Sequence, residues 1–284
     1  MRKPVTLKSK IAHLILMFVI LAGLIPLFYF ATVEIGIARA EANDSTDTVA
    51  TPGSIERYVE NVAFGVNEKF TYDINYGFIN AGGATMEVAR LIEYNNRPCY
   101  QTVTRAYSNS FFSTFFKVDD RVESIIDALG IFPWRFEKNL REGPYRSDRQ
   151  YSFDQRQNLV FYKGDTIEVA PYAQDALSIL YWVRTQPLEV GKSIFVENFT
   201  DGKKYSLEVR VLRKESVDVP AGTFDCIVVE PLLKSVGVFK HEGKLTVWLS
   251  DDRLRMPVLM KSKVLVGSFA AELTDYQLGD IEIF

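Results

Sequence analysis

The sequence predicts an all-β, mainly antiparallel fold: a curved meander sheet forming a half-open barrel or a sandwich, with one helix packed on it. Three observations predict it. About ten runs carry the period-two alternation or β-rich composition of strands, short turn signals separate them, and no alternation of strands with long helical patterns points to a doubly wound sheet.

The first run, FTYDINYGF, puts Phe70, Tyr72, Ile74, Tyr76 and Phe78 on one face, and the AGG at 81–83 is expected to turn it into TMEVARLIEY. CYQTVTRAY follows after the NNRP turn at 95–98. Further strand-like runs are YRSDRQYSFD, NLVFYKG, DTIEVA, KSIFVENF, KKYSLEVRVL, FDCIVVEPLL, KLTVWLS and the closing VLMKSKVLVGSFAAELTDYQL. Between two of them, VPAGTF reads as a hairpin connection: Pro220 presets φ at the first corner and Gly222 tolerates positive φ. The helix is expected in DALSILYWVR, where Ala176, Ile179, Leu180 and Val183 recur at helical spacing and Asp175 can cap the amino end. A second short helix or loop is expected in FFSTFFKVDDRVESIIDAL.

Residues 1–40 read as a signal peptide or signal anchor. Arg2, Lys3, Lys8 and Lys10 precede an apolar run from Ile11 to Val33, and Ala38-Arg39-Ala40 offers a cleavage site. The run also reaches the roughly 20 residues that span a bilayer, which keeps an uncleaved inner-membrane anchor open. Either way the remainder is placed outside the cytoplasm, soluble if cleavage follows Ala40 and tethered otherwise. Residues 41–64 read as a linker or irregular arm, and 65–284 as one β-rich domain.

Removing residues 1–40 takes five Lys/Arg and one Asp/Glu from totals of 33 and 36, leaving a net charge of −7. That balance argues against nucleic acid as a partner. The basic residues Arg135, Lys138, Arg141, Arg146 and Arg149 are interspersed with Glu137, Glu142 and Asp148, the composition of a solvated strand face with cross-strand ion pairs. The two cysteines, Cys99 and Cys226, allow either a disulfide or two separate buried thiols; Cys226 is expected on the inner face unless it meets Cys99.

No catalytic constellation is evident. His241 is the one histidine of the exported part, HEGK lacks the second histidine of a zinc-binding helix, and there is no C-x-x-C, P-loop or Rossmann fingerprint. Neighbouring acids such as Asp119 and Asp120, or Asp251 and Asp252, point to opposite faces of a strand and read as turn acids. No metal and no cofactor are called for. What stands out is aromatic: Phe111, Phe112, Phe115 and Phe116 lie within six residues, and Trp134, Tyr181, Trp182 and Trp248 sit in apolar segments. A large aromatic core accounts for them, and so does a concave apolar sheet face spanned by the helix, which would suit an acyl chain. On the second reading Phe115, Trp134, Leu180, Trp182 and Trp248 are the candidate pocket residues.

The segments GVNEKFTYDINYGFINAGGATMEV, VDDRVESIIDALGIFPWRFEKNLREGPYRSDRQYSFD, DALSILYWVR, VPAGTFDCIVVEP and VLVGSFAAELTDY, in this order, resemble the domain of unknown function DUF3108 of exported Gram-negative bacterial proteins. The resemblance runs from about Gly65 to Leu278. It implies a periplasmic, predominantly β protein, and it carries no catalytic residues. The expected function is therefore non-enzymatic: binding a lipid or lipoprotein-like apolar ligand on the concave face for envelope assembly or maintenance. A protein-protein adaptor presenting a sheet edge or the FFSTFF segment to an envelope partner is the alternative. A carboxylate-based glycan hydrolase is the least favoured reading.

Overall fold

The computed structural model describes residues 55–232, 244–263 and 267–281. The leader of 1–40, the stretch 41–54 and His241 lie outside the described residues.

The chain from Lys69 builds outward in one direction and returns from the other. Strands β1 (Lys69–Tyr76), β2 (Ile79–Tyr94) and β3 (Arg97–Ser108) lead through a single turn of helix, α1 (Ser110–Ser113), to β4 (Asp119–Asp127) and β5 (Pro133–Glu142). Then come β6 (Tyr145–Asp154), β7 (Leu159–Tyr162) and β8 (Asp165–Glu168), followed by α2 (Ser178–Arg184). The second half is β9 (Ser193–Thr200), β10 (Lys203–Val219), β11 (Gly222–Leu232), β12 (Lys244–Ser250), β13 (Pro257–Lys263) and β14 (Ser268–Gln277). All fourteen strands among the described residues belong to one sheet with β1 beside β14 at its middle and β8 and β9 at its ends. Every pairing of neighbouring strands is antiparallel and the strands follow one continuous order instead of two, so the half-open barrel forms and the two-sheet sandwich does not.

The sheet ends approach each other without a continuous ladder. Gln174 makes a one-residue parallel bridge to β9, donating its N–H to Glu197 O at 2.8 Å and accepting from Phe199 N at 2.8 Å. Phe199 meets Tyr151 of β6 edge-on at 5.6 Å, and Asp201 past the end of β9 accepts from Lys138 Nζ at 2.8 Å and Arg149 Nη1 at 2.9 Å. These contacts hold the barrel curved where hydrogen-bonded closure is missing.

Several turns differ from the sequence expectation in instructive ways. The strand from Phe70 ends at Tyr76, and Gly77 at φ 59° makes the turn, so Phe78 leaves the sheet and is fully exposed. AGG lies inside β2 instead. There a Cβ on Gly82 would sit 1.9 Å from Tyr107 O, so the glycine serves a close strand approach. The NNRP turn forms as expected, with Asn95 and Asn96 at φ 52° and 58°. VPAGTF is the expected hairpin, Val219 opposing Gly222, and its tip also docks: Ala221 N donates to Leu273 O at 2.9 Å and Phe224 meets Tyr276.

The interior is filled by α2 and by the arm before β1. Residues 55–64 have no regular secondary structure, yet Ala63 and Phe64 are 1% exposed, and Phe64 packs edge-on against Tyr100 and Tyr181. The packed part of the chain therefore reaches back beyond Gly65.

Candidate functional site: an apolar cleft beside the inner helix

Helix α2 is shorter than DALSILYWVR because its start is preset by a side chain. Asp175 Oδ1 accepts from Leu177 N at 2.7 Å and Ser178 N at 2.6 Å, and its Oδ2 takes the Ser124 hydroxyl at 2.6 Å. This ties the entry of the helix to β4. At its other end Arg184, 2% exposed, grips Glu68 through two 2.7 Å bonds and donates to Ala63 O and Leu254 O. Its guanidinium also lies over the rings of Phe64 and Phe70.

Held at both ends, α2 leaves a cleft against the concave face. Ala176, Leu177, Ile179, Leu180 and Val183 form one wall; Leu207, Val209, Val229, Pro231, Leu245 and Val247 form the other, with Met86 and Met260 beside them. Every lining residue is apolar. The free volume is about 70 Å³, and the cleft opens to solvent. That is about twice the ~30 Å³ share of one liquid water and well below the roughly 300–1,000 Å³ of small-molecule pockets. A chain end of a few methylenes fits; a whole acyl chain does not, unless the unbranched Met86 and Met260 side chains rearrange.

The family model for DUF3108, proteins of unknown function, matches residues 71–274. The chain belongs to this family. Among solved structures, the DUF3108 chain is similar to a β-barrel-like DUF1849 protein from Brucella abortus, 12% identical with a TM-score of 0.54, covering 77% of this chain and 100% of that one. At this identity the likeness shows the fold alone. Looser matches are a candidate lipoprotein from Parabacteroides distasonis, 11% identical, TM-score 0.37, covering 78% and 100%, and a candidate exported protein with a YmcC-like fold from Bacteroides fragilis, 11% identical, TM-score 0.36, covering 78% and 99%. No curated protein matches the chain.

Of the five residues singled out in the sequence, the DUF3108 cleft is lined by Leu180 only. Trp248 alternates with Val247 on β12 and so faces the opposite side, where its Nε1 donates to Glu215 at 2.6 Å beneath Lys261. Trp134 lies in a separate cluster with Cys99, Ile125 and Phe132, its Nε1 on Asp127. Trp182 sits on α2 but turns to Arg57, whose guanidinium lies 5.8 Å from its ring, and Phe115 is exposed at the rim. Cys99 and Cys226 are two separate buried thiols. Cys226 alternates with Ile227 and Val229, which puts it on the face opposite the cleft, a correction to its expected inward position.

The sequence reading also missed a buried ionisable cluster. In PWRFEKNLRE the buried residues are Pro133 and then, in alternation, Trp134, Phe136, Lys138, Leu140 and Glu142, so the strand carries Lys138 and Glu142 inward; the supposed solvated charge patch holds only for its other members. Strict alternation from Trp134 onward was the available signal. Both Glu142 oxygens and Asp120 Oδ2 lack a hydrogen-bond partner, whereas Lys138 is paired with Asp201. Burial, then repulsion from Asp120, pushes the Glu142 carboxyl up to about 8, with Lys138 opposing; burial raises Asp120 to about 6. A carboxyl raised in the folded state above its ordinary 4.5 adds stability at low pH, and that contribution fades as pH climbs through about 8. Glu142→Gln is accordingly expected to stabilise the protein by about 1–2 kcal/mol near pH 8.5 and hardly at all near pH 5, read from urea unfolding at the two pH values.

Proposed function

We propose that this protein is a non-enzymatic periplasmic envelope protein that binds an apolar ligand, lipid or lipoprotein-like, in the cleft between α2 and the concave sheet face, in the service of envelope assembly or maintenance. The observation that carries this reading is a solvent-open cleft in which all thirteen lining residues are apolar. Such a surface gains by being covered, and it offers no acid, base or nucleophile for a chemical step. The export-type leader supports a periplasmic setting, where acyl chains are the abundant apolar ligands.

The ligand enters end-first, with the terminal methylenes between Leu180 and Val209 and the rest following the open side. Leu180 is half-buried, so a polar replacement there changes the cleft at little cost to the fold. In a titration with a fluorescent fatty acid, Leu180→Asp is expected to weaken binding at least tenfold, about 1.4 kcal/mol or more, while the thermal midpoint moves little. Equal affinity in the two proteins would remove the cleft from the account.

A further inference from the structure

Away from the cleft, the turns β1–β2, β3–β4 and β5–β6 stand side by side on one rim, as the antiparallel meander requires. Hydrogen bonds stitch them together. Asn109 N donates to Ala81 O at 3.0 Å and its Nδ2 to Asn80 O at 2.8 Å, joining the first two turns; Gly143 N donates to Lys117 O at 2.7 Å, joining the second and third.

The FFSTFF segment divides its phenylalanines by helical spacing. Phe112 and Phe116 turn inward to Val118 and Leu140, and the Phe116 ring fills the space where a side chain on Gly143 would stand. Phe111 and Phe115 turn outward, 63% and 59% exposed, with ring centroids 5.5 Å apart. Asn109 caps the turn, its Oδ1 accepting from Phe112 N at 2.9 Å. The outward pair is thus held in water by a braced scaffold. Phe78 on the neighbouring turn is fully exposed, and Tyr145 on the third is 37% exposed.

Cations accompany these tips. Exposed Lys117 follows Phe115 and Phe116, and exposed Arg146 follows Tyr145, its Nη1 fixed on Gly143 O at 2.7 Å. Arg141 is paired with Asp148, and Lys117 and Arg146 share a surface hollow with exposed Asp119, so the two cations outnumber the one remaining acid and leave the outward charge positive.

We propose that this rim docks on an anionic lipid bilayer, with Phe78, Phe111 and Phe115 entering the boundary between headgroups and acyl chains and Lys117 and Arg146 meeting the lipid phosphates. The partner follows from the chemistry. Protruding aromatic tips on three separate turns make no flat patch for a folded protein surface, but each can enter a fluid apolar layer independently, and aromatic tips flanked by Lys and Arg suit the charge and polarity profile of an anionic leaflet. None of these residues lines the cleft, so this surface stands or falls apart from ligand binding.

The test places a tryptophan on the rim of the full chain, Phe115→Trp, and adds vesicles of phosphatidylethanolamine and phosphatidylglycerol carrying brominated acyl chains. The added tryptophan is expected to be quenched well beyond the native tryptophans, with the quenching lost in phosphatidylcholine vesicles and at high salt. Lys117→Glu with Arg146→Glu is expected to reduce the quenching at least fivefold, and Phe78→Ser with Phe111→Ser to abolish it; all these side chains are exposed, and an unchanged thermal midpoint verifies the fold. Quenching reports the depth of the rim itself, so attachment to the vesicle through the amino-terminal leader alone does not produce it. Quenching no greater than that of the native tryptophans overturns the proposal, as does quenching indifferent to lipid charge. Protection of Phe111 and Phe115 by a second copy of the chain or a protein, with no quenching by lipid, overturns it equally.

Discussion

Replacing Arg184 with methionine is expected to destabilise the protein by about 3–5 kcal/mol, a shift readily seen in the urea midpoint. The volume is nearly kept, but Glu68, 2% exposed, is left as a buried charge without its bidentate partner, and Ala63 O and Leu254 O each lose a donor. Changing Glu68 to methionine in the same chain is expected to recover most of the loss, because an apolar pair replaces an unpaired charge. A double variant no more stable than Arg184→Met alone would mean that the carbonyl contacts, and not the ion pair, anchor the helix. The proposed ligand binding is linked to the same group. Arg184 fixes the end of α2, and four residues earlier on that helix Leu180 lines the cleft, so apolar-probe binding is expected to weaken in the single variant under conditions where it remains folded.

Asp127→Ala is the second large effect, expected at about 2–4 kcal/mol. Asp127 is fully buried at the end of β4 and serves five donors: Arg97 through Nε and Nη2, Leu129 N at 3.0 Å, Gly130 N at 2.8 Å and Trp134 Nε1 at 3.1 Å. Alanine leaves the backbone N–H of Gly130 and the indole N–H without an acceptor in a dry site. The connection it holds contains Ile131 at φ 48°, a conformation a β-branched residue adopts only when its surroundings enforce it. Ile131 O in turn accepts Gln174 Nε2 at 2.9 Å, so the turn is coupled to the residue that bridges the barrel seam. Asn, which keeps one acceptor oxygen, is expected to cost less than half as much. Unfolding followed by tryptophan emission checks both numbers, with Trp134 itself reporting the lost hydrogen bond; equal stabilities for Ala and Asn would show that the side-chain acceptor is dispensable.

The fold was legible where alternation and turn chemistry agree. Phe70, Tyr72 and Ile74 point inward as their spacing indicates, Asn95-Asn96 makes its turn, VPAGTF makes its hairpin, and Asp175 presets the helix that Ile179, Leu180 and Val183 outline. Other features depend on long-range geometry that local patterns do not carry. Nothing in FTYDINYGF says that the strand ends at Tyr76 and releases Phe78, because period two continues past the point where pairing stops. The large aromatics misled the search for a pocket for a related reason. Trp134 and Trp248 carry an N–H that needs an acceptor, and buried Asp127 and half-buried Glu215 provide it away from the cleft, whereas the cleft itself is lined by apolar side chains. Lys138 and Glu142 were concealed in the opposite way, since charged residues are expected outside and only the strand register places them within.

The most direct test of the apolar-ligand account is native mass spectrometry of the protein isolated from the periplasm of expressing cells, followed by solvent extraction of whatever travels with it. The account predicts a near-stoichiometric acyl-chain adduct on the unaltered protein and a bare mass for Leu180→Asp isolated in parallel. A bare mass for both, under conditions that preserve weak complexes, or an adduct that persists undiminished in Leu180→Asp, would contradict it.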